Sequence, residues 1–164
     1  MQILVVGPLP RRRTAFGGID AHMPAAATRE LAELFGTTRQ ALASSPHWQA
    51  TLARIAGVGS PAATALAEAA GELERRHGEE ELSIGSWHGD WTPSNMASAG
   101  RTLCVWDWER ASTGMPAGMD AGHFGFHIAR KVTNLAPKPA AAATLQWLPG
   151  VLEATGLEGR HAPL

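Results

Sequence analysis

The chain has 164 residues, of which 45% are hydrophobic and 18% charged, a composition typical of a globular domain rather than a disordered or fibrous chain. Its formal net charge of -1 gives no electrostatic reason to expect a nucleic-acid partner. No apolar run approaches the length that crosses a bilayer, so we expect no membrane partner.

The first residues and the single cysteine bear on the compartment. Residues 1–9 are apolar but short, and their charges follow rather than precede them, which makes a poor signal peptide. Cys104 is the only cysteine, so no intrachain disulfide can form. We expect a soluble, cytoplasmic protein.

The N-terminal segment predicts a strand and then a loop. Ile3 to Val6 is an apolar, β-branched run that stops at Gly7-Pro8, as a buried strand would. The arginines at 11–13 and the glycines at 17 and 18 then indicate an exposed loop.

Residues 24–78 are predicted to be helical. Ala25 to Phe35 is rich in alanine, with a stop at Gly36, and Thr38 to Ala43 predicts another helical turn. Ser45-Pro46 and Ser60-Pro61 each resemble an N-cap with proline at the first helical position. We expect these two helices to end near Ala56 and His77.

The next segment predicts extended structure. Glu81 to Ser86 reads as a short strand, and residues 96–98 and 102–106 as a hairpin that turns at Ala99-Gly100. The second strand of the hairpin is apolar on both faces, which predicts burial on both sides. Such a hairpin would bring Asn95 and Asp107 together at its open end.

The C-terminal part, residues 119–156, is predicted to be helical. Met119 to Leu135 has an apolar face made by Phe124, Ile128, Val132 and Leu135. Ala140 to Leu148 forms a further predicted helix, which Pro149 should kink or end because it lacks a backbone donor. No internal repeat or linker is visible, so residues 1–164 are expected to form a single domain.

The stretch from Ser86 to Glu109, SWHGDWTPSNMASAGRTLCVWDWE, concentrates polar groups that can carry chemistry. Asp90 and Asn95 flank a tight turn, and Asp107 follows the apolar strand. Mg²⁺ prefers hard oxygen ligands and is usually held by one or two carboxylates together with substrate phosphates. Two carboxylates and a carboxamide therefore suit a magnesium–phosphate site, with one group left to act as a base.

The spacing H-G-D-x-x-x-x-N resembles the catalytic loop of protein kinases, H-R-D-x-x-x-x-N, which is followed by a later metal-binding aspartate. With glycine in place of arginine, the motif looks most like the aminoglycoside phosphotransferase and choline kinase family. The run DWERASTGMPAGMD is also similar to that family. The resemblance implies an α+β, mostly helical fold, the large C-terminal lobe of a protein-kinase-like enzyme with a short catalytic β-hairpin.

The resemblance also implies an activity and roles for residues. It implies an ATP- and Mg²⁺-dependent phosphotransferase that phosphorylates a hydroxyl on a small molecule. Asp90 would be the catalytic base, and Asn95 and Asp107 the magnesium ligands. It also implies that three further residues support the catalytic loop: His88, Gly89 and Asp120. From its position alone, Asp120 could equally be a helix-start residue favoured by the macrodipole.

The small lobe of that family is not recognisable in the chain. No Gly-rich loop precedes Ser86, and no lysine precedes residue 131. We therefore expect the N-terminal lobe to be absent, with weak ATP–Mg²⁺ binding and little turnover by this chain alone. The resemblance implies that the first strand is the hinge, which would contact the nucleotide through Val5, Val6, Gly7 and Leu9.

Two alternatives stay open. The first is a non-catalytic remnant of a kinase fold that binds a nucleotide or a partner. The second is a metal-dependent hydrolase that uses His88, Asp90, Asp107 and His123. The spacing of His123 and His127 could hold zinc, but the glutamate of a zinc protease is missing between them.

The acceptor is also open. Aminoglycoside, choline, homoserine and other small hydroxyl compounds are all compatible with the resemblance, because a fold does not determine a substrate. Tryptophans surround the loop, and we expect packing roles for them, with a role in lining a sugar or base pocket left open: Trp87, Trp91, Trp106 and Trp108.

Overall fold

The structure is a computed structural model that describes residues 22–99 and 102–156. Its fold is α+β and mostly helical, as predicted. Within the described residues the helices are α1 His22–Phe35, α2 Pro46–Ala56, α3 Pro61–His77, α4 Met119–Lys131 and α5 Pro137–Thr155. The strands are β1 Thr38–Ala41, β2 Glu81–Trp87, β3 Met96–Ala99, β4 Thr102–Val105 and β5 Ser112–Pro116.

The strands form two antiparallel sheets. In the three-stranded sheet β2 is central, and Ile84 pairs with Thr38 on one side and Pro116 on the other. The register between β2 and β5 shifts at Gly85, where Gly114 is the extra residue with φ +78°. The second sheet is the ribbon of β3 and β4, which confirms the predicted hairpin strands.

The prediction of a helical turn within Thr38–Ala43 is wrong for its first residues, because Thr38–Ala41 is a strand. Residues 24–78 are therefore not helical throughout. The segment pairs with β2 over four residues, from Thr38 opposite Ile84 to Ala41 opposite Glu81. A free edge of β2 supplies hydrogen bonds that no local signal in the sequence reveals.

The two predicted serine caps are confirmed. Ser45 Oγ accepts a hydrogen bond from the Trp48 amide at 3.3 Å, and Ser60 Oγ accepts one from the Ala63 amide at 3.2 Å. The helices that they cap begin at Pro46 and Pro61 and end at Ala56 and His77, as expected.

Both C-terminal helices differ from their predicted bounds. Helix α4 ends at Lys131 rather than Leu135, and Val132 is 50% exposed, so Val132 is not part of the buried face. Helix α5 starts at Pro137 and continues through Pro149 to Thr155. Leu145, whose carbonyl loses its partner to Pro149, is exposed, while Val151 beyond it is fully buried. Because the buried face of α5 is packed and its exposed face is open to water, the helix continues past Pro149.

Two hydrophobic clusters flank the site in the sequence. One packs β2 and the residue after β1 against α2 and α3, and its members are Leu42, Trp48, Ala70, Leu82 and Ile84. The other packs the loop after β2 and the start of the ribbon against α4, and its members are Trp91, Met96, Phe124 and Ile128. Through Trp91, the loop is therefore part of the second cluster.

The predicted burial of the second ribbon strand on both faces is wrong. Leu103, Cys104, Val105 and Trp106 are only half-buried. Within the described residues β4 pairs with β3 alone, so its other edge and part of its surface are left uncovered. The predicted strand from Ile3 to Val6 lies outside the described residues, and so does Gly100 of the predicted turn at Ala99-Gly100.

Within residues 22–99 and 102–156, no helix is both long enough and apolar enough to cross a membrane.

Candidate active site

The segment from His88 to Asn95 leaves the end of β2 and is anchored by the first turn of α4. The Asp120 carboxylate accepts hydrogen bonds from two successive amides, His88 N at 2.6 Å and Gly89 N at 3.0 Å. Asp120 is only 3% exposed. Its carboxylate therefore joins α4 to the loop, and this contact, rather than the helix macrodipole alone, accounts for an aspartate at this position.

His88 is a structural centre of the loop. Its side chain is fully buried, its Nδ1 accepts a hydrogen bond from the Asp90 amide at 3.2 Å, and its Nε2 lies 2.9 Å from the Trp106 carbonyl oxygen. Because Nδ1 accepts, the proton must be on Nε2, which donates to Trp106. Both ring nitrogens are thus engaged with the backbone, which leaves His88 no lone pair for the metal that a hydrolase would need.

Gly89 has a conformation that excludes a side chain. Its φ is +87°, and a Cβ atom built there would lie 2.6 Å from the Arg110 carbonyl oxygen and 2.9 Å from the Arg110 Cβ. The close approach of the segment before β5 leaves no room for a side chain at this position.

Asp90 and Asn95 are joined directly. Asn95 Nδ2 donates to Asp90 Oδ2 at 3.0 Å and to the Asp90 carbonyl oxygen at 3.1 Å. These bonds determine the orientation of the amide and leave Asn95 Oδ1 without a hydrogen bond from the described residues. Asp90 Oδ1 is likewise left without one. A half-buried carboxylate with a free oxygen can accept a proton from a hydroxyl group.

Asp107 lies at the same end of the ribbon as Asn95. The Trp106 amide donates to the Asn95 carbonyl oxygen at 3.1 Å, one step beyond the pair formed by Met96 and Val105. Asp107 follows in the left-handed region, with φ 67° and ψ 57°, and is exposed. Aspartate tolerates this conformation better than most residues.

The donors near this end of the ribbon are oxygens. Among the described residues no group of three or more His, Cys, Asp or Glu side chains could hold a metal ion. Two carboxylates and one carboxamide oxygen are a poor set for a transition metal but suit Mg²⁺, which takes its remaining ligands from water and phosphate. These donors are of the chemical type that Mg²⁺ prefers.

Burial and nearby charges alter the protonation of groups on α4. Burial raises the pKa of Asp120, although the amides of His88 and Gly89 oppose that rise. Burial, followed by the charges of His123 and Lys131, lowers the pKa of His127, and the Asp90 carboxylate acts in the opposite direction.

A cleft of about 570 Å³ opens beside the loop and was not predicted. Its walls come from α2, from β5, from the start of the loop and from Arg110 before β5. The lining includes His47, Arg54, Trp87, Gly89, Arg110 and Thr113. The sequence contained no spacing that would link α2 to this region, because the contact is made only when α2 packs on β5.

The nucleotide-contacting residues that the resemblance implied, Val5, Val6, Gly7 and Leu9, lie outside the described residues. Comparisons of the chain with family models, with curated proteins and with solved structures found no match. A functional assignment therefore depends on the residues of the loop and the groups around it.

Proposed function

We propose that this chain is the large lobe of an ATP- and Mg²⁺-dependent phosphotransferase that acts in the cytoplasm on a hydroxyl group of a small molecule. The observation that carries the proposal is the pair of hydrogen bonds that Asn95 donates to Asp90. Asn95 lies at the open end of the ribbon, and Asp107 follows the other strand at the same end. This arrangement supports a base and two metal ligands within one short segment.

In the proposed reaction Asp90 accepts the proton of the acceptor hydroxyl. The hydroxyl oxygen then forms a bond to the γ-phosphorus of ATP as the bond to the bridging oxygen of ADP breaks. The products are a phosphomonoester, ADP and a proton that leaves Asp90 for solvent. General-base assistance of this kind contributes typically about 10²–10⁴-fold to the rate.

Asn95 and Asp107 are proposed to hold the metal ion. A bound Mg²⁺ would neutralise charge that develops on the phosphates. Asn95 contributes through Oδ1, because Nδ2 is already committed to Asp90. The same bonds explain why an asparagine suits this position: an aspartate would place a second negative charge against the carboxylate of Asp90.

The surrounding contacts keep the base in place. Asp120 fixes the two amides before Asp90, and the ring of His88 fixes the amide of Asp90 itself. His88 is in turn held by Trp106 and packs edge-on against Trp108, with ring centroids 4.5 Å apart. A base that is ordered before substrate arrives loses little entropy in the reaction.

The metal assignment is tested by calorimetric titration of the full chain with ATP in the presence of Mg²⁺. Asp107→Asn should weaken binding by about tenfold or more, since it removes a charged ligand. Glu109→Gln, a change to an exposed carboxylate two residues away, should leave binding unchanged. Equal effects of the two substitutions, or no binding by the unaltered chain, would contradict the proposal.

The role of the base is tested by transfer of the γ-phosphate to hydroxyl compounds with a small lobe supplied, because the chain alone is expected to show little turnover. Asp90→Asn should lower the transfer rate by about 10²-fold or more and leave the affinity for ATP–Mg²⁺ nearly unchanged. Binding of ATP–Mg²⁺ with no transfer by the unaltered chain, even with a small lobe supplied, would favour the non-catalytic alternative.

A further inference from the structure

The cleft beside the loop has no part in the roles proposed above. Its volume of about 570 Å³ is in the range of pockets that bind small molecules. One wall is the face of α2 that carries His47 and Arg54. The other is formed by Trp87 and Gly89 at the end of β2 and by Arg110 before β5. The cleft therefore reaches the residue that directly precedes Asp90.

The charged side chains that line the cleft are positive. Its only charged lining residues are Arg54 and Arg110, and no aspartate or glutamate of the described residues lines it. Burial, followed by the charge of Arg54, lowers the pKa of His47, and both residues line the cleft. The imidazole is therefore mainly neutral at pH 7, and the positive charge of the cleft comes from the two arginines.

Both guanidinium groups are free to bind a ligand. Arg110 Nε lies 4.0 Å from Glu109 Oε1, and both side chains are largely exposed, so this pair contributes little. Arg54 makes no ion pair with the described residues. Guanidinium groups bind carboxylates and phosphates with two parallel hydrogen bonds, which makes arginine well suited to anions.

We propose that this cleft holds the phosphate acceptor, and that the acceptor is a small hydroxyl compound with a carboxylate or phosphate group bound by Arg54 and Arg110. The proposal rests on the phosphotransferase function proposed above and names its substrate class. The anionic group would bind the arginines while the hydroxyl extends past Gly89 toward Asp90.

The arginines are not assigned to the nucleotide. The residues proposed to hold the metal, Asn95 and Asp107, do not line the cleft. The triphosphate must stay with that metal, so its charge would be on the ribbon side of Asp90. Cationic acceptors are also disfavoured, because an aminoglycoside or choline would bring its positive charge against two arginines. Of the acceptors compatible with the motif, those with an anionic group remain.

The test is calorimetric titration of the full chain with four probes of similar size: glycerate, glycerol 3-phosphate, glycerol and choline. We expect at least one anionic probe to bind about tenfold or more tightly than glycerol and choline. Whichever of the two anionic probes binds more tightly then indicates whether the site prefers a carboxylate or a phosphate. Arg54→Gln and Arg110→Gln should each weaken anion binding by about tenfold or more.

Arg76→Gln is the matched control, because Arg76 is an exposed arginine of α3 that pairs with Glu72 and does not line the cleft. It should leave anion binding unchanged. Equal binding of neutral and anionic probes, binding of neither anion, or equal effects of the three substitutions would overturn the proposal. Displacement of the anion by ATP–Mg²⁺ would assign the arginines to the nucleotide and would also overturn it.

This test does not need phosphate transfer, so its failure is distinguishable from failure of the proposed function. Anion binding that depends on both arginines, together with an absence of transfer, would reject the reaction and retain the binding site. Transfer to glycerol or choline that is unaffected by Arg54→Gln would retain the reaction and reject the anionic acceptor.

Discussion

At Gly89 a left-handed backbone and a close neighbour act at the same residue. A φ of +87° alone disfavours every residue with a side chain, and the Arg110 carbonyl oxygen occupies the position of a Cβ. The two effects are separable, because Gly36 has a similar φ of +73° with nothing within 4 Å of its Cβ position.

Gly89→Ala is expected to lower the free energy of unfolding by about 1–3 kcal/mol more than Gly36→Ala. The Gly36 variant has only the backbone cost, about 1–2 kcal/mol, whereas the Gly89 variant must also move the backbone at Arg110. Urea denaturation of both variants measures the difference. Equal losses would show that the approach of Arg110 does not constrain the loop.

Among the elements, α4 and α5 make the most extensive helix contact in the described residues, and it depends on a second glycine. A Cβ at Gly125 would lie 2.6 Å from Cζ3 of Trp147 and 3.3 Å from the Thr144 methyl carbon. Trp147 also packs against Phe124, one residue earlier, at a centroid distance of 6.5 Å. The indole therefore has little room to withdraw, and glycine lets the two helices approach closely.

Gly125→Ala should reduce the free energy of unfolding by about 1–3 kcal/mol, because overpacking exceeds the gain in helix propensity. Gly71→Ala is the control with the opposite expected sign. Gly71 lies on the exposed side of α3 with nothing within 4 Å, so alanine should stabilise by about 0.5–1 kcal/mol. A stabilised Gly125 variant would mean that the indole moves without cost. Thermal and urea unfolding of both variants provide the measurement.

At the scale of the whole molecule, two histidines on different elements connect stability to pH. Burial is the main cause that lowers the pKa of both His47 and His127 from the ordinary value of 6.5. Arg54 adds to the effect at His47. At His127 the charges of His123 and Lys131 add to it, and the carboxylate of Asp90 opposes it. The folded state therefore binds these two protons less tightly than the unfolded chain does.

The stabilising contribution of these histidines is complete above the unfolded pKa of about 6.5 and is lost as pH falls through the lower folded values. We expect the free energy of unfolding to fall between about pH 7 and pH 5.5, and the combined variant His47→Gln, His127→Gln to show a smaller fall. Urea denaturation across this range measures the slope, and the same comparison near pH 8 is the control. An unchanged slope would exclude these two residues as its source.

The site motif could be read from the sequence because its members are local. Asp90 and Asn95 are five residues apart, and a ribbon between Asn95 and Asp107 needs only the alternation and turn signals of a hairpin. The serine caps before Pro46 and Pro61 were equally readable, since a cap is made within four residues. Three residues of one local motif therefore carried most of the functional hypothesis.

The tertiary structure decided what depends on partners distant in the chain. Thr38–Ala41 becomes a strand because the edge of β2, about forty residues later, is free to pair with it. Asp120 becomes the anchor of the loop through amides more than thirty residues earlier, and α5 continues past Pro149 because Val151 is buried. The cleft of Arg54 and Arg110 exists only once α2 packs on β5. Sequence periodicity describes short-range order, whereas these contacts are selected by the packing of the whole chain.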